Sequence, residues 1–414
     1  MIRSTQQLHL EGFVEMISYH LFEVFLMFRS SLLAIAIAGT LTSQAYAHNN
    51  LVTSNQIGNL NNLIIEQNGS GLVAEGGQEG ENNNSLIHAE GQDNTIKSYQ
   101  HGSGNYSSNS SFSNSYQSEI TSEQIGNDNY TYNNQSNTSH SSVTITQDGS
   151  NNSAAGYQTD ADSNYSNIYQ KGLNNDAAIS QFGDSYLTAI MYQEGNDNDA
   201  GQFQAGSQSI TEILQVGNSN TTWVDQSYNS NSINSVKQNG DFNQVQTAQV
   251  LNGSFNIITV AQDGLLNLSL IGQEGENNKA VTNQTGELNH IFGHGEGVSY
   301  LTQTGVGNSV AATQAGYKND LIYEQTGESN TLDSTQTGEQ NELSGWAEGN
   351  GNSLKLAQYD VRQIGDIRQT GNHNMVTLTQ SGLSNSASII QNIDSSMASV
   401  MQSGRSNISV IMQN

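Results

Sequence analysis

The sequence predicts an all-β protein, a two-sheet β-solenoid of strand–turn–strand coils with a period of 22–23 residues and half-repeats of 11–12 residues. Two observations predict this fold: a Gln that recurs at fixed spacing, and alternating apolar and polar residues before each Gln. From Gln303 the register advances in steps of 11 residues to Gln413, and Ala347 replaces Gln once. A fixed period of this kind is typical of stacked repeats, each of which contacts only its neighbours.

One repeat shows how the pattern specifies a strand and a turn. Val143, Ile145 and Gln147 alternate with mostly polar residues, which is the period of a strand with one buried face. Gly149 follows the Gln by two residues and supplies a position that tolerates positive φ. Asn152 follows the Gln by five residues and is predicted to open the next strand on the same inward face.

Two kinds of half-repeat alternate in the middle of the chain. The Gln residues fall into two interleaved sets with a spacing of 23, and only the second set has Asn five residues later. The first set is Gln135, Gln158, Gln181 and Gln204, and the second is Gln147, Gln170 and Gln193. Two half-repeats therefore make one coil, and stacked coils make two facing sheets.

The inward Gln and Asn residues are the candidate functional site. A buried amide costs free energy unless it is hydrogen-bonded, and coils stacked in register let each amide bond the equivalent residue of the adjacent coil. Such rows also fix the register, because a slip of one residue would turn every Gln outward. The predicted self-assembly ladder consists of Gln56, Asn61, Gln78, Asn83, Gln147, Asn152, Gln170, Asn175, Gln193, Asn198, Gln262, Asn267, Gln325, Asn330, Gln369, Asn374, Gln402, Asn407 and Gln413.

Two stretches depart from the regular spacing. The step from Gln100 to Gln124 is 24 residues, and the step from Gln284 to Gln303 is 19. We interpret both as bulged or shortened coils and not as domain boundaries. Disorder of residues 103–118, which are rich in Ser and Asn, stays open as an alternative.

The N-terminal residues read as an export signal. Residues 27–47 contain Arg29, an apolar run and the small-residue cleavage site that ends at Ala47, so we predict a secretory signal peptide there. Residues 1–26 are acidic where such a signal should be basic, and we interpret them as a gene-model extension. Residues 48–414 are then the solenoid, with no transmembrane segment in the mature chain and a secreted, extracellular location.

Composition excludes several classes of function. The chain has no Pro and no Cys, so it has neither disulfides nor thiolate metal ligands. Its net charge of −27 repels phosphate backbones, and we expect no nucleic-acid partner. The hydrophobic fraction of 34% is too low for an ordinary globular core in a chain of this length.

The repeat resembles the curlin repeat of bacterial curli subunits. The resemblance rests on residues 143–175 and on the frame made by Ser141, Gln147, Asn152 and Gln158. It implies a bacterial cell-surface or extracellular fibre, a functional amyloid that polymerises with copies of itself and supports biofilm matrix and adhesion. It also implies two further partners, a second curlin subunit and an outer-membrane export channel. Whether this chain would be the major or the minor, nucleating subunit stays open.

The sequence gives no reason to expect an enzyme, a cofactor or a metal site. Asp160, Asp162 and Asn164 begin like a calcium loop, but Tyr165 and Lys171 stand where that loop needs Gly and Glu. The other carboxylates fall in turns and are not gathered with a nucleophile and a base.

The alternative function is a monomeric cell-surface adhesin or a ligand-binding solenoid, including an ice-binding one. Thr144 and Thr146 have the spacing of ice-binding threonine rows, as do Thr377 and Thr379, but the equivalent positions of other repeats do not continue the row. A monomer would also need polar caps on its open edges, and the repeat register shows none. Self-assembly is therefore the preferred interpretation.

Overall fold

In the computed structural model, residues 49–112, 114–183, 185–293 and 300–414 are described, and every regular element in them is a β-strand. The predicted extension at 1–26 and the predicted signal peptide at 27–47 lie outside the described residues. No helix in the described ranges is long and apolar enough to cross a membrane.

The strands alternate between two parallel sheets. The first sheet contains, in spatial order, β1 (Leu51–Asn59), β3 (Val73–Glu81), β5 (Thr95–Ser103), β7 (Glu119–Asn127), β9 (Ser142–Ser150), β11 (Tyr165–Leu173), β13 (Thr188–Asn196), β15 (Ile210–Asn218), β17 (Ile233–Asp241), β19 (Ile257–Leu265), β21 (Lys279–Glu287), β24 (Ser309–Tyr317), β26 (Thr331–Glu339), β28 (Ser353–Val361), β30 (Met375–Leu383) and β32 (Met397–Arg405). The second sheet contains β2 (Asn62–Ser70), β4 (Asn84–Gln92), β6 (Tyr106–Phe112), β8 (Tyr130–Ser136), β10 (Ser153–Thr159), β12 (Asp176–Phe182), β14 (Asp199–Ser207), β16 (Thr221–Ser230), β18 (Gln244–Ser254), β20 (Leu268–Glu276), β22 (His290–Phe292), β23 (Leu301–Val306), β25 (Asp320–Glu328), β27 (Glu342–Glu348), β29 (Ile364–Thr370), β31 (Ser386–Gln391) and β33 (Ile408–Gln413).

Each coil adds one layer to both sheets. In the first sheet every Gln pairs in register with the Gln of the next coil, as Gln147 does with Gln170 and Gln170 with Gln193. The second sheet keeps the same register, with Gln158 opposite Gln181. The first sheet has sixteen strands, and β22 and β23 of the second sheet share one layer, so the described residues make sixteen coils. The predicted all-β, two-sheet solenoid is confirmed.

A nine-residue strand and a very short turn make each regular half-coil. In β9, Val143, Ile145 and Gln147 point inward and are fully buried, as the alternation predicts. The strand continues through Gly149, whose φ is 143°, and a side chain there would collide with the carbonyl oxygen of Gly172 in the next coil. The turn is therefore shorter than predicted, because the Gly still belongs to the strand.

The core between the sheets has two apolar sections. One section includes Leu72, Ile96 and Ile120, and the other continues from Val143 toward Val400 at the last coil. The coils between the two sections are lined by polar side chains that bond one another. Ser107 lies 2.8 Å from Ser122, and the Nδ2 of Asn133 donates to Asn109 at 2.8 Å. The apolar residues that line the core elsewhere are therefore replaced by polar ones around β6 and β8.

Both irregular steps in the sequence lie within the solenoid. The Ser-rich stretch forms β6, which pairs with β4 and β8, so the described part of residues 103–118 is ordered. In the second stretch, Gln273 bonds Gln303 across 30 residues, whereas Gln262 bonds Gln284 across 22. This coil is longer than its neighbours, so its interpretation as a shortened coil is wrong: the 19-residue step is a half-coil with an insertion between β22 and β23.

Candidate assembly interface

A continuous row of Gln side chains lies along the inner face of the first sheet. Each Nε2 donates to the Oε1 of the Gln in the next coil, over distances of 2.7–3.0 Å. The row consists of Gln56, Gln78, Gln100, Gln124, Gln147, Gln170, Gln193, Gln215, Gln238, Gln262, Gln284, Gln314, Gln336, Gln358, Gln380 and Gln402. We call it the first glutamine row.

The second proton of each amide links the two sheets. The Nε2 of Gln147, for example, also donates to the backbone carbonyl of Tyr130 at 3.0 Å, where β8 of the second sheet begins. The same bond joins Gln215 to Asp199 at 3.0 Å. Both donors of a buried amide are thus satisfied, which removes the cost of burying it. The inward Gln residues therefore hold adjacent coils in register and tie the facing sheets together.

The second sheet has a similar row with interruptions. Bonded Gln side chains continue from Gln135 to Gln325, at distances of 2.8–3.1 Å. A shorter segment joins Gln369, Gln391 and Gln413 at 3.1 and 2.8 Å. Ala89, Ser111 and Ala347 occupy the Gln position in three of the remaining coils, and Gln67 in the fourth lies opposite Ala89, so amide bonding stops there.

An asparagine row lies in the turns that lead from the first sheet to the second. Here the bonds to the neighbouring side chain run toward the preceding coil, whereas those of the first glutamine row run toward the next coil. The backbone N–H of Asn152, for example, donates to the Oδ1 of Asn129 in the preceding coil at 3.1 Å. The Nδ2 of Asn152 also donates to the carbonyl of Gly172 in the following coil at 2.9 Å. The row consists of Asn61, Asn83, Asn105, Asn129, Asn152, Asn175, Asn198, Asn220, Asn243, Asn267, Asn289, Asn319, Asn341, Gln363, Asn385 and Asn407. Because it satisfies the turn amides, each turn is locked to the coils on both sides.

The predicted ladder residues divide among four structural positions. Gln56, Gln78, Gln147, Gln170, Gln193, Gln262 and Gln402 lie in the first glutamine row, and Asn61, Asn83, Asn152, Asn175, Asn198, Asn267 and Asn407 lie in the asparagine row. Gln325, Gln369 and Gln413 lie on the second sheet. Asn330 and Asn374 lie in the opposite turns, where each accepts a backbone N–H from the next coil at 3.0 and 2.9 Å. Their role in assembly stays a prediction.

The prediction omitted two kinds of residue that the structure places in the rows. Gln215 and Gln238 bond each other at 2.9 Å in the first glutamine row, and their 23-residue spacing was the available signal. Gln363 takes an Asn position: its backbone N–H donates to Asn341, and its Oε1 accepts from Asn385, both at 3.0 Å. Its place five residues after Gln358 could have identified it.

The rows give the two end coils complementary free groups. Among the described residues, Gln402 has no Gln beyond it to receive its remaining donor, and Gln56 has none before it to donate to its Oε1. In the asparagine row the polarity is reversed, so Asn407 presents its Oδ1 and Asn61 its backbone N–H. One end of the solenoid therefore offers glutamine donors, and the other end offers glutamine acceptors.

The end coils are also the most open part of the solenoid. All nine residues of β1 are exposed, including Val52 on the inward face. At the other end, Met401 and Ile408 on the outer faces are 82% and 81% exposed. Unpaired parallel edges with apolar side chains are templates for the pairing of another strand.

One and a half coils match a known family model. The model of the curlin associated repeat matches residues 139–172, from the turn before β9 to Gly172 in β11. The chain contains a curlin associated repeat at these residues. No curated protein matches it. The repeat and the solenoid fold are structural. The inward Gln and Asn residues of the matched segment are members of the rows described above.

Most of the ion pairs among the described residues join neighbouring coils on the outer surface. Lys171 contacts Glu194 at 3.0 Å, and Lys97 contacts Glu119 at 3.5 Å. Asp162 accepts the hydroxyl of Ser139 at 2.6 Å, and this hydrogen bond lowers the pKa of the Asp162 carboxyl below its usual value. In the described ranges no group of three His, Asp or Glu residues could hold a metal ion.

The threonine pairs considered for ice binding are extended by at most one coil: Thr144 lies opposite Thr121 of the preceding coil, whereas Thr146 lies opposite Glu123. Thr144 lies opposite Asn167 in the next coil, and Thr146 lies opposite Tyr169. Thr377 follows Lys355 of the preceding coil. A flat array of Thr across several coils is therefore absent from both positions.

Proposed function

We propose that this protein is a secreted structural subunit that self-assembles into extracellular curli-like amyloid fibres, which support biofilm matrix and adhesion. The role is structural and not catalytic. The observation that carries the proposal is the complementarity of the end coils: donors of the first glutamine row face out of one end, and acceptors of the same row face out of the other. A second copy of the chain is the partner that matches both ends in chemistry and spacing.

Stacking of two copies continues every row across the joint. When β32 of one copy pairs with β1 of the next, Gln402 donates to Gln56, just as Gln380 donates to Gln402 within one chain at 2.8 Å. At the same joint β33 pairs with β2, which places Gln413 beside Gln67. In cross-β structures such amide rows make each added strand equivalent to the one before it.

The outer faces of the end coils fit the same arrangement. Met397 of β32 would lie over Leu51 of the next copy, and Val410 of β33 would lie over Ile64. These four side chains are 68%, 53%, 67% and 44% exposed in the single chain. Their burial at the joint would add an apolar contribution of about 25 cal/mol per Å² to the bonds of the rows.

We further propose export through residues 27–47 with cleavage after Ala47, followed by passage through an outer-membrane channel and nucleation on a second curlin subunit. The composition of residues 27–47 and the match to the curlin associated repeat support this route. Mass measurement of the exported chain tests the first step, since its N-terminal residue should be His48.

The purified chain is expected to assemble without cofactors into fibres that bind amyloid dyes and diffract at about 4.7 and 10 Å. The shorter spacing is the distance between coils, and the longer one is the distance between the facing sheets. X-ray fibre diffraction and dye-binding kinetics are the measurements. A soluble monomer that keeps its β circular dichroism for days at high concentration would contradict the proposal and favour a monomeric adhesin or ligand-binding solenoid.

A further inference from the structure

Four side chains form a cluster on the outer face of the first sheet, away from the amide rows. Tyr169 and Lys171 belong to β11, and Tyr192 and Glu194 occupy the same positions in β13, so the register places Tyr against Tyr and Lys against Glu. The two phenol rings are stacked, with centroids 5.0 Å apart and planes within 8° of parallel. Both rings are partly exposed to solvent.

The phenol of Tyr192 has a base in contact with it. Its hydroxyl donates to the carboxylate of Glu194 at 2.7 Å, and the Nζ of Lys171 contacts the other oxygen of that carboxylate at 3.0 Å. The hydrogen bonds from Tyr192 and Lys171 lower the pKa of Glu194, so the carboxylate is ionised at neutral pH. An ionised acceptor at this distance can take the phenolic proton as an electron leaves the ring.

We propose that Tyr169 and Tyr192 are a site of oxidative crosslinking, in which a haem peroxidase acting with hydrogen peroxide joins the two rings as dityrosine. Each phenol loses one electron and one proton, and the proton of Tyr192 passes first to Glu194. The two radicals couple through the ring carbons beside the hydroxyls, and the hydrogen on each of these carbons then moves to the oxygen of the same ring, which restores the aromatic phenol. In sum, two tyrosines and one hydrogen peroxide give one carbon–carbon bond and two waters.

Two other tyrosine sites among the described residues have only part of this arrangement. Tyr106 and Tyr130 are stacked at 5.2 Å, but burial and the neighbouring phenols of Tyr106 and Tyr132 raise the pKa of Tyr130 to about 12, and no carboxylate is among these causes. Tyr99 donates to Glu75 at 2.7 Å, but the preceding coil has Gly77 opposite its ring. The cluster at β11 and β13 combines a stacked partner with an ionised acceptor.

The crosslink would join two coils of one chain through residues 23 positions apart. Since the backbone register already holds the two strands side by side, the bond would close the coil covalently without changing the fold. A closed coil cannot separate from its neighbour, so the crosslinked chain should resist removal of coils by proteases or denaturant. Oxidation would then stabilise the solenoid against unfolding after it has folded.

The test treats the purified full-length chain with a haem peroxidase and hydrogen peroxide, and then digests it with trypsin. Cleavage after Lys171 separates the two tyrosines, so the crosslink appears as a covalent pair of the peptides 98–171 and 172–237. Mass spectrometry should place the bond at Tyr169 and Tyr192. A mixture of ¹⁴N and ¹⁵N chains should give no mixed pairs, because the bond lies within one chain.

Two variants separate the roles of the ring and of the base. Tyr169→Phe should abolish this peptide pair, whereas Tyr106→Phe should leave its yield unchanged. Glu194→Gln keeps the stacked rings but removes the ionised acceptor, and the initial rate of dityrosine fluorescence should fall by about tenfold, with the β circular dichroism unchanged. The proposal is overturned if Glu194→Gln reacts at the normal rate. It is also overturned if the bonds map to the most exposed tyrosines, Tyr228 and Tyr186.

Discussion

Replacing Gln215 with Ala is expected to lower the free energy of unfolding by about 4 kcal/mol, because it removes hydrogen bonds and leaves buried partners unsatisfied. Gln215 is fully buried near the middle of the first glutamine row. It accepts from Gln193 at 2.9 Å and donates to Gln238 at 2.9 Å and to the carbonyl of Asp199 at 3.0 Å. Urea unfolding of the freshly folded chain, followed by circular dichroism, measures the change.

The matched control for this variant lies on the same strand. Glu212 is exposed on the outer face of β15, and Glu212→Ala should change the unfolding free energy by less than about 0.5 kcal/mol. Equal destabilisation by the two substitutions would show that the buried amide row does not hold the coils together.

Replacing Gln402 and Gln413 together with Ala is expected to weaken the addition of each copy to a growing fibre. Two inter-chain amide bonds are lost, at about 1 kcal/mol each, which corresponds to a factor of about thirty in the equilibrium constant for addition. Both side chains lie in the last coil, so most bonds within the chain are kept. The lag time should lengthen, and the concentration of chain left in solution at the end of assembly should rise.

Ser403→Ala provides the comparison for the double variant. Ser403 is exposed on the outer face of β32, beside Gln402, and its backbone carbonyl, which the substitution keeps, accepts from the Nδ2 of Asn407 at 3.0 Å. Its lag time and final soluble concentration should match those of the unaltered chain. If Ser403→Ala slows assembly as much as the double variant does, the inward amides are not the groups that join the copies.

The period and the alternation of residues were sufficient to predict the fold. Because inward residues recur every second position, the sequence assigned Val143, Ile145 and Gln147 to the core, and the structure buries all three. The Gln spacing predicted the coil, since each inward Gln of the first sheet bonds the Gln at the equivalent position of the next coil. In a solenoid, the spacing at which a residue type recurs in the sequence therefore also gives the pairing of strands between coils.

Other features could not be predicted, because they depend on which strands pair with each other. The 19-residue step counts the same whether a whole coil is shortened or a half-coil has gained an insertion. The polar interior near Ser107 and Asn109 has no apolar alternation and was indistinguishable from a disordered loop. Tyr323 is fully buried opposite Gly345 of the next coil. The packing of this large side chain against a glycine can be recognised only once the pairing of the two strands is known.

The most direct test of end-to-end stacking uses a disulfide across the joint. The natural chain has no Cys, so Leu51→Cys and Met397→Cys variants each carry a single thiol. When the two variants are mixed, assembled and oxidised, the account predicts heterodimers joined between positions 397 and 51, because in-register parallel strands lie about 4.8 Å apart, within disulfide range. Asn55→Cys, four residues out of register, should give no bond with Met397→Cys. Fibres in which like variants pair with like, 397 with 397 or 51 with 51, would contradict the account.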